Sequence, residues 1–243
     1  MKRSLRTVLW RAASNDRTTS RKHLVLLIAL ISVSVVQPLF AHSSELVANL
    51  ANAGFGLAYL FVVYVVFAGR RLAYRLFLPV IASHFALYVV PDALRPLTNV
   101  VFHVSVVVFL GYAVVAILRD LFARTVISGD DVLGAVCGYV LGGLVWGHLY
   151  ALTYMLRPDA FSVSPELTAQ LADLRLRHVI FDYFSYTTLT SIGYGDITPI
   201  GSPVYTLVWL EVMFGQFYMA VVVAQLVGMK LAQAIDHRRP PTP

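Results

Sequence analysis

The stretch Thr-Leu-Thr-Ser-Ile-Gly-Tyr-Gly-Asp at positions 188–196 has the residue types and spacing that most suggest chemistry. Gly193 and Gly195 alternate with larger residues, and glycine reaches positive φ without the steric cost that other residues carry. A backbone of alternating handedness turns consecutive carbonyl oxygens toward the same side. The backbone carbonyl oxygens of this stretch are therefore candidate ligands for a cation. Nothing in the sequence resembles a metal-ligand pair, a phosphate-binding loop or a nucleophile with its base.

This stretch resembles the signature of the potassium channel family, in which backbone carbonyls replace the water shell of the ion. The family's usual filter begins with Thr and Val, where this chain has Ser191 and Ile192, so the hydroxyl and the branched apolar group are kept. The side chains of Ile192 and Tyr194 are expected to point away from the ion path. The resemblance implies that potassium ions bind along five residues, Ser191, Ile192, Gly193, Tyr194 and Gly195.

The resemblance extends over about 132–229, the two-helix pore module, and implies roles for further residues. Family members often carry Trp at the pore-helix places that Tyr183 and Phe184 fill here. Asp196 is expected to add negative charge at the outer mouth and to anchor the filter to the pore helix. The residues expected to support the filter are Thr188, Thr190, Asp196, Tyr183 and Phe184.

Gly215 and Glu211 are the gating candidates. Gly215 follows the filter at the spacing where many family members have a hinge glycine, but close helix packing by a small residue explains it equally well. Glu211 is an acidic residue inside an apolar segment, where an ionised carboxylate costs several kcal/mol. We expect it behind the filter, bonded to Tyr or Thr hydroxyls of the pore helix, in a structural role or in gating.

Two further groups of residues in the apolar segments are weaker candidates for a function. Gln216, Met219 and Val223 fall on one helix face and could line a water-filled cavity, although burial against lipid or other helices is an equal alternative for Met219 and Val223. Three histidines also lie within predicted spans, and packed or hydrogen-bonded histidines are favoured there over proton sensors. They are His84, His103 and His148.

Composition indicates a membrane protein, because 58% of the 243 residues are hydrophobic and 13% are charged, against about 25% charged in a soluble domain. Six apolar stretches approach or exceed the roughly 20 residues that a transmembrane helix needs. They are 24–40, 46–68, 72–90, 98–118, 132–156 and 203–229. A shorter run at 178–190 is predicted to be re-entrant. We therefore predict an all-α membrane protein with six transmembrane helices, and with a pore helix and selectivity-filter loop between helices 5 and 6.

The placement of Lys and Arg sets the predicted orientation. With the N-terminus in the cytoplasm, all but four of the 19 Lys and Arg residues fall in inside segments. The predicted segments are a basic cytoplasmic N-terminus (1–23), a four-helix transmembrane domain (24–118), a cytoplasmic linker (119–131), a pore domain (132–229) and a short cytoplasmic tail (230–243). The short loops and the lack of an appended domain suggest a bacterial inner membrane. A signal peptide cleaved near 40–41 is a less favoured alternative that leaves the remaining topology unchanged.

The fourth span, 98–118, contains no arginine, and the nearest ones are Arg95 and Arg119. Steep voltage gating needs about three or four charges per subunit, so we expect a channel that is not steeply voltage-gated. The expected function is passive potassium conduction by a homotetramer, without enzymatic activity, cofactor or metal other than potassium. Its expected partners are potassium ions, other copies of the chain and membrane lipids, and not nucleic acid. A weakly selective cation channel and a non-conducting regulatory or sensor protein remain as alternatives.

Overall fold

The computed structural model describes residues 21–40, 71–124, 126–171 and 174–238, together with isolated positions at 47, 54, 56, 60 and 63–64. The helices, in chain order, are α1 (Lys22–Phe40), α2 (Arg71–Val89), α3 (Arg95–Phe122), α4 (Gly129–Leu156), α5 (Pro165–Leu171), α6 (Leu174–Leu189), α7 (Ser202–Phe217) and α8 (Val223–Arg238). Two short 3₁₀ helices (Asp92–Leu94 and Pro158–Ala160) precede α3 and β1, and a π-helix (Tyr218–Val222) joins α7 to α8. Strands β1 (Phe161–Val163) and β2 (Ile197–Pro199) form an antiparallel pair.

Four described helical stretches are long and apolar enough to cross a membrane, and they correspond to the third to sixth predicted spans, the third ending one residue earlier than predicted. They are Arg71–Val89, Asp92–Phe122, Gly129–Leu156 and Ser202–Ile235. In α1 the stretch Lys22–Ser32 is apolar but shorter than a span. The second predicted span, 46–68, lies outside the described residues except at the isolated positions, so the count of six spans stays a prediction.

Several helices run past the apolar stretches that predicted them. Helix α3 continues to Phe122 and α4 starts at Gly129, so the non-helical part of the predicted linker at 119–131 is shorter than expected. Helix α8 likewise continues to Arg238, beyond the predicted tail boundary at 230. Apolar patterning marks the part of a helix inside the bilayer, whereas capping contacts decide where the helix itself begins or ends.

The start of α4 is such a capping site. Ser128 and Asp131 form a reciprocal capping box, in which the Asp131 carboxylate accepts the Ser128 N–H at 2.8 Å. Two contacts surround this turn, an ion pair between Arg124 Nε and Asp131 Oδ1 at 3.1 Å and a hydrogen bond between His23 Nδ1 and Asp130 Oδ2 at 2.8 Å. Acidic groups in a first turn are favoured by the helix dipole. The contact between His23 and Asp130 joins the beginning of α1 to the beginning of α4.

Helix α4 is the central element, because α1, α3, α6 and α7 all contact it. One apolar core lies between α1, α2, α3 and α4 and includes Leu30, Phe109 and Leu141. A second core lies around α6 and includes Tyr150 of α4 and Phe181 of α6. The second core is the one that positions the loop after α6.

Four glycines of α4 contact side chains of α6, α7 and the π-helix, and a Cβ at any of the four would collide with the side chain that it contacts. The pairs are Gly138 with Tyr218, Gly142 with Phe214, Gly143 with Tyr186 and Gly147 with Asp182. Small residues let helices approach closely where no water is available to drive their association. At this contact the Tyr186 hydroxyl donates to the backbone oxygen of Val140 at 2.9 Å.

Gly143→Ala is predicted to destabilise the protein, because the new methyl group would displace the Tyr186 ring from α4. Overpacking of this kind costs about 1–3 kcal/mol. Gly111→Ala is the matched control, since a Cβ on Gly111 of α3 meets nothing within 4 Å. Thermal unfolding in detergent should show a lower Tm for Gly143→Ala and an equal or higher Tm for Gly111→Ala. Equal Tm values for the two variants would contradict this packing.

Candidate functional site

The loop at residues 190–196 begins where α6 ends, and its first N–H groups bind back to that helix. Ser191 N–H donates to the Thr188 oxygen at 2.9 Å. Ile192 N–H and Gly193 N–H both donate to the Thr187 oxygen, at 2.8 and 3.2 Å. The last carbonyls of a helix have no partner inside the helix, so the loop uses them as its own support. The entrance of the loop is thereby fixed relative to α6.

The backbone of this loop alternates in handedness. Positive φ occurs at Ser191 (59°), Gly193 (56°) and Gly195 (82°), that is, at every second residue. The positive φ expected at the two glycines is therefore present, and Ser191 is a third such position that the sequence did not predict. Ser191 adopts a conformation that is uncommon for a residue with a Cβ. The alternation is the geometry that turns successive carbonyls toward one side.

The larger side chains of the loop are exposed in the single chain. Ile192 is 56% exposed and Tyr194 is 69% exposed. The Tyr194 ring lies parallel to that of Tyr183 on α6, with 6.3 Å between ring centroids and 7° between planes. One chain therefore leaves much of this apolar and aromatic surface uncovered.

Asp196 holds the far end of the loop against α6. Its Oδ2 accepts the Tyr183 hydroxyl at 2.8 Å, and its Oδ1 accepts the Ile197 N–H at 3.1 Å. Partial burial, and then the bond to Asp196, raises the pKa of the Tyr183 phenol to about 12. Since the phenol stays protonated near neutral pH, Tyr183 remains a donor to this carboxylate.

The other expected support residues surround the end of α6. Phe184 is buried, with its ring centroid 4.9 Å from that of Tyr150. Thr188 is also buried. Thr190 is exposed, and its hydroxyl donates to the backbone carbonyl oxygen of Tyr186 at 2.6 Å. These residues shape and cap the end of the helix that carries the loop.

A short β-ribbon continues the support on the other side of Asp196. Phe161 pairs with Pro199 and Val163 with Ile197, and the Ser164 N–H donates to the Asp196 carbonyl oxygen at 2.9 Å. The prediction of an all-α protein did not include this ribbon. Each strand has three residues, which is too short for an alternating apolar pattern to be recognised.

Glu211 is fully buried on α7 and bridges three helices. Its Oε1 accepts the Ser185 hydroxyl of α6 at 2.5 Å, and its Oε2 accepts the Tyr150 hydroxyl of α4 at 2.5 Å. Ser185 Oγ also lies 2.7 Å from the Gly143 carbonyl oxygen. Glu211 thus contacts α6, the helix that precedes the loop, but its partners differ from the predicted Tyr or Thr hydroxyls of the pore helix. The donors are a serine of α6 and a tyrosine of α4.

Gly215 lies where α7 passes closest to the end of α6. A Cβ on Gly215 would stand 2.5 Å from the backbone oxygen of Leu189. This contact favours the packing explanation for the glycine. The helix departs from α geometry further along, at the π-helix Tyr218–Val222, and such π-turns are frequent at functional sites. A gating role for Gly215 stays a prediction.

The three histidines of the predicted spans lie together on the side of α4 next to α3. The Nδ1 atoms of His103 and His148 are 2.9 Å apart, and the Phe102 ring contacts both His84 and His148. Within the described part of the chain, His84 Nε2 is buried without a hydrogen-bond partner. All three side chains lie between α2, α3 and α4 and contact one another or Phe102 there.

Residues 178–230 match a family model described as an ion channel. The matched segment includes most of α6, the loop and its β2 strand, α7, the π-helix and the first half of α8. The match supports an ion channel of the pore-loop type in this segment. Together with the four helices that are long and apolar enough to cross a membrane, it supports an integral membrane protein. Comparisons with curated proteins and with solved structures found no match.

Glu211→Leu is predicted to destabilise the pore module by about 1–3 kcal/mol, the usual cost of leaving buried polar partners without an acceptor. The Tyr150 and Ser185 hydroxyls would both lose the carboxylate. Glu211→Gln is the matched variant, since its amide keeps one acceptor oxygen and nearly the same shape. Denaturation in detergent should rank the wild type above Glu211→Gln and Glu211→Gln above Glu211→Leu. A leucine variant as stable as the wild type would show that the bridge is dispensable.

Gly215→Ala is predicted to force α7 away from α6, because the backbone oxygen that the new methyl would meet cannot rotate aside. The matched control is Gly228→Ala on α8, where a Cβ meets nothing within 4 Å. Both variants gain the same helix propensity, about 1 kcal/mol. We expect a lower Tm for Gly215→Ala alone. A Tm that rises in both variants would rule out the close contact.

Proposed function

We propose that this chain is one subunit of a homotetrameric channel that conducts potassium ions passively and selectively. The observation that carries the proposal is the alternation of positive φ at Ser191, Gly193 and Gly195. A potassium ion leaves water at little net cost only if protein oxygens replace its hydration shell at successive levels. A loop of alternating handedness supplies such oxygens from the backbone of Ser191, Ile192, Gly193 and Tyr194, followed by Gly195.

Assembly from several copies is part of the proposal, because one loop supplies one side of an ion path. The exposed Ile192 and Tyr194 side chains support it, since they leave apolar and aromatic surface that neighbouring copies would cover. The stretch from α7 through the π-helix to the start of α8 also presents large apolar residues to its surroundings, and subunits and lipid would share that surface. These residues are Trp209, Leu210, Met213, Phe217, Met219 and Val223.

The supports around the loop fit a filter that must keep its shape while ions pass. Irregular backbone at membrane depth is tolerated where it lines a wet path. Here the loop is hydrogen-bonded to α6 at its entrance, to Tyr183 through the Asp196 carboxylate at its exit, and to Ser164, the residue after β1, through the Asp196 carbonyl. In this arrangement the Asp196 carboxylate adds negative potential at the outer mouth, and the Ser191 hydroxyl stands at the inner mouth.

The protein is proposed to lie in a bacterial inner membrane. Both termini would be cytoplasmic, and the loop between α4 and α7 would lie on the outer side. This orientation is supported by the positions of the Lys and Arg residues. The absence of arginine from 98–118 supports a pore without steep voltage dependence. Its permeant ion is potassium, and the channel needs no cofactor.

The test is ion flux through the purified protein in liposomes. With opposed potassium and sodium gradients, the reversal potential is expected to follow the potassium gradient. A potential that follows both ions equally would replace the proposal with a weakly selective cation channel. The absence of flux from a correctly inserted tetramer would replace it with the non-conducting regulatory protein.

Gly195→Ala is predicted to abolish selective potassium flux while leaving an inserted oligomer. A Cβ at a φ of 82° costs about 1–2 kcal/mol, and four subunits would carry that strain in one ring. Gly129→Ala is the control, because Gly129 lies at the start of α4 and a Cβ there meets nothing within 4 Å. Flux and oligomeric state in detergent are measured together. Selective flux at the wild-type rate from Gly195→Ala would mean that the carbonyl ring is not built from this loop.

A further inference from the structure

Gln216 of α7 reaches the first residue of the loop. Its Nε2 donates to Ser191 Oγ at 3.1 Å, and both side chains are exposed rather than enclosed in either core. The contact joins residues on separate elements, at the inner end of the proposed ion path. Nothing in the motif at 188–196 specifies it, because the donor lies in another helix.

The close approach of α7 to α6 explains why this contact forms. Gly215 brings the backbone of α7 against the Leu189 oxygen at the last residue of α6. Gln216 is the next residue on α7, and Ser191 lies two residues beyond Leu189. The fit that excludes a Cβ at Gly215 therefore also places the Gln216 amide within reach of the Ser191 hydroxyl.

Hydrogen bonds already hold the backbone of Ser191, so only rotation about the side-chain torsion χ1 can still move its hydroxyl. The Ser191 N–H is bound to Thr188, the next N–H is bound to Thr187, and φ at Ser191 is 59°. A serine has a single heavy atom on Cβ and can place its hydroxyl in any of three staggered positions. A threonine at the same place would be restricted by its second branch. The hydrogen bond from Gln216 supplies a restraint that the serine lacks.

This restraint leaves the hydroxyl able to bind a cation. A hydroxyl oxygen has two acceptor lone pairs and one proton to donate. The Gln216 N–H occupies one lone pair, so the second remains for an ion, and the proton remains for water. Four such hydroxyls, each held by its own glutamine, would form a ring at the inner end of the filter.

We infer that Gln216 is a positioning residue that holds the Ser191 hydroxyl toward the ion path and so sets the affinity of the innermost site for a dehydrated monovalent cation. The inference rests on the proposed potassium conduction and deepens it. Gln216 acts through Ser191, and the hydrogen bond replaces the restriction that a β-branched side chain would impose.

The experiment measures the potassium concentration that gives half-maximal unitary current through the full-length protein in lipid bilayers. Gln216→Leu removes the amide, and Gln216→Asn keeps an amide on a side chain one methylene shorter. Each is expected to raise the half-saturating concentration about two- to tenfold, the range that corresponds to one neutral hydrogen bond. Gln225→Leu is the matched control, an exposed glutamine further along the same apolar segment, and it is expected to shift the value by less than about twofold.

Rescue distinguishes positioning from a general structural role. Adding Ser191→Thr to Gln216→Leu is expected to return the half-saturating concentration to within about twofold of the protein that carries Ser191→Thr alone. A second readout, the increase of Tm with potassium concentration in detergent, reports the same affinity without requiring conduction. In both Gln216 variants, a higher potassium concentration should be needed to produce the same increase in Tm.

The outcomes separate the two proposals. An unaltered protein that does not prefer potassium to sodium overturns the proposed function itself. If the unaltered protein is selective, an unchanged half-saturating concentration in Gln216→Leu and Gln216→Asn overturns the positioning role alone. The positioning role is also overturned if Gln216→Leu raises the half-saturating concentration by the same factor in the wild type and in Ser191→Thr. The effect of Gln216 would then not pass through the serine hydroxyl.

Discussion

The carboxylate of Glu211 accepts hydrogen bonds from Ser185 and Tyr150, and these three residues belong to three different helices. Two helices can slide past each other on an apolar contact, but a buried acid with two hydroxyl donors fixes their depth and rotation. Burying a carboxylate costs free energy unless hydrogen-bond donors satisfy its oxygens. Helix α6 has 16 residues, fewer than a transmembrane span needs, so this bridge and the aromatic core around it determine where the loop at 190–196 stands.

Close packing on α4 and α7 makes the bridge possible. The α4 face that carries Gly143 receives Tyr186, and Gly215 of α7 approaches the end of α6 without a side chain between them. In a membrane, helices associate through such fits and through interhelical hydrogen bonds rather than by expelling water. The tyrosine hydroxyls then donate to spare lone pairs of helix carbonyls, as Tyr186 does to Val140. Packing and hydrogen bonding thus depend on the same small residues.

The loop itself is held mainly through its backbone. Its entrance is bound to the final carbonyls of α6, and its exit is bound to the β-ribbon and to Tyr183 through Asp196. Between these ends the φ values alternate in sign, with serine at the first position and glycine at the other two. Since the proposed ion ligands are backbone oxygens, their positions follow from these bonds. The side chain of Ser191 is the exception, and the contact with Gln216 restrains it.

The sequence by itself determined the membrane class, the order of the described spans, the short helix before the loop and the need for positive φ at Gly193 and Gly195. These features depend on local composition and on the conformational freedom of single residues. Tertiary structure alone decided the partners of Glu211, the ribbon between Phe161–Val163 and Ile197–Pro199, and the bond from Gln216 to Ser191. Each of these joins residues from separate elements, so it follows from how the helices are placed, which no local pattern encodes. Positive φ at Ser191 belongs to the same group, because bonds from the loop to the end of α6 stabilise a conformation that serine seldom adopts by itself.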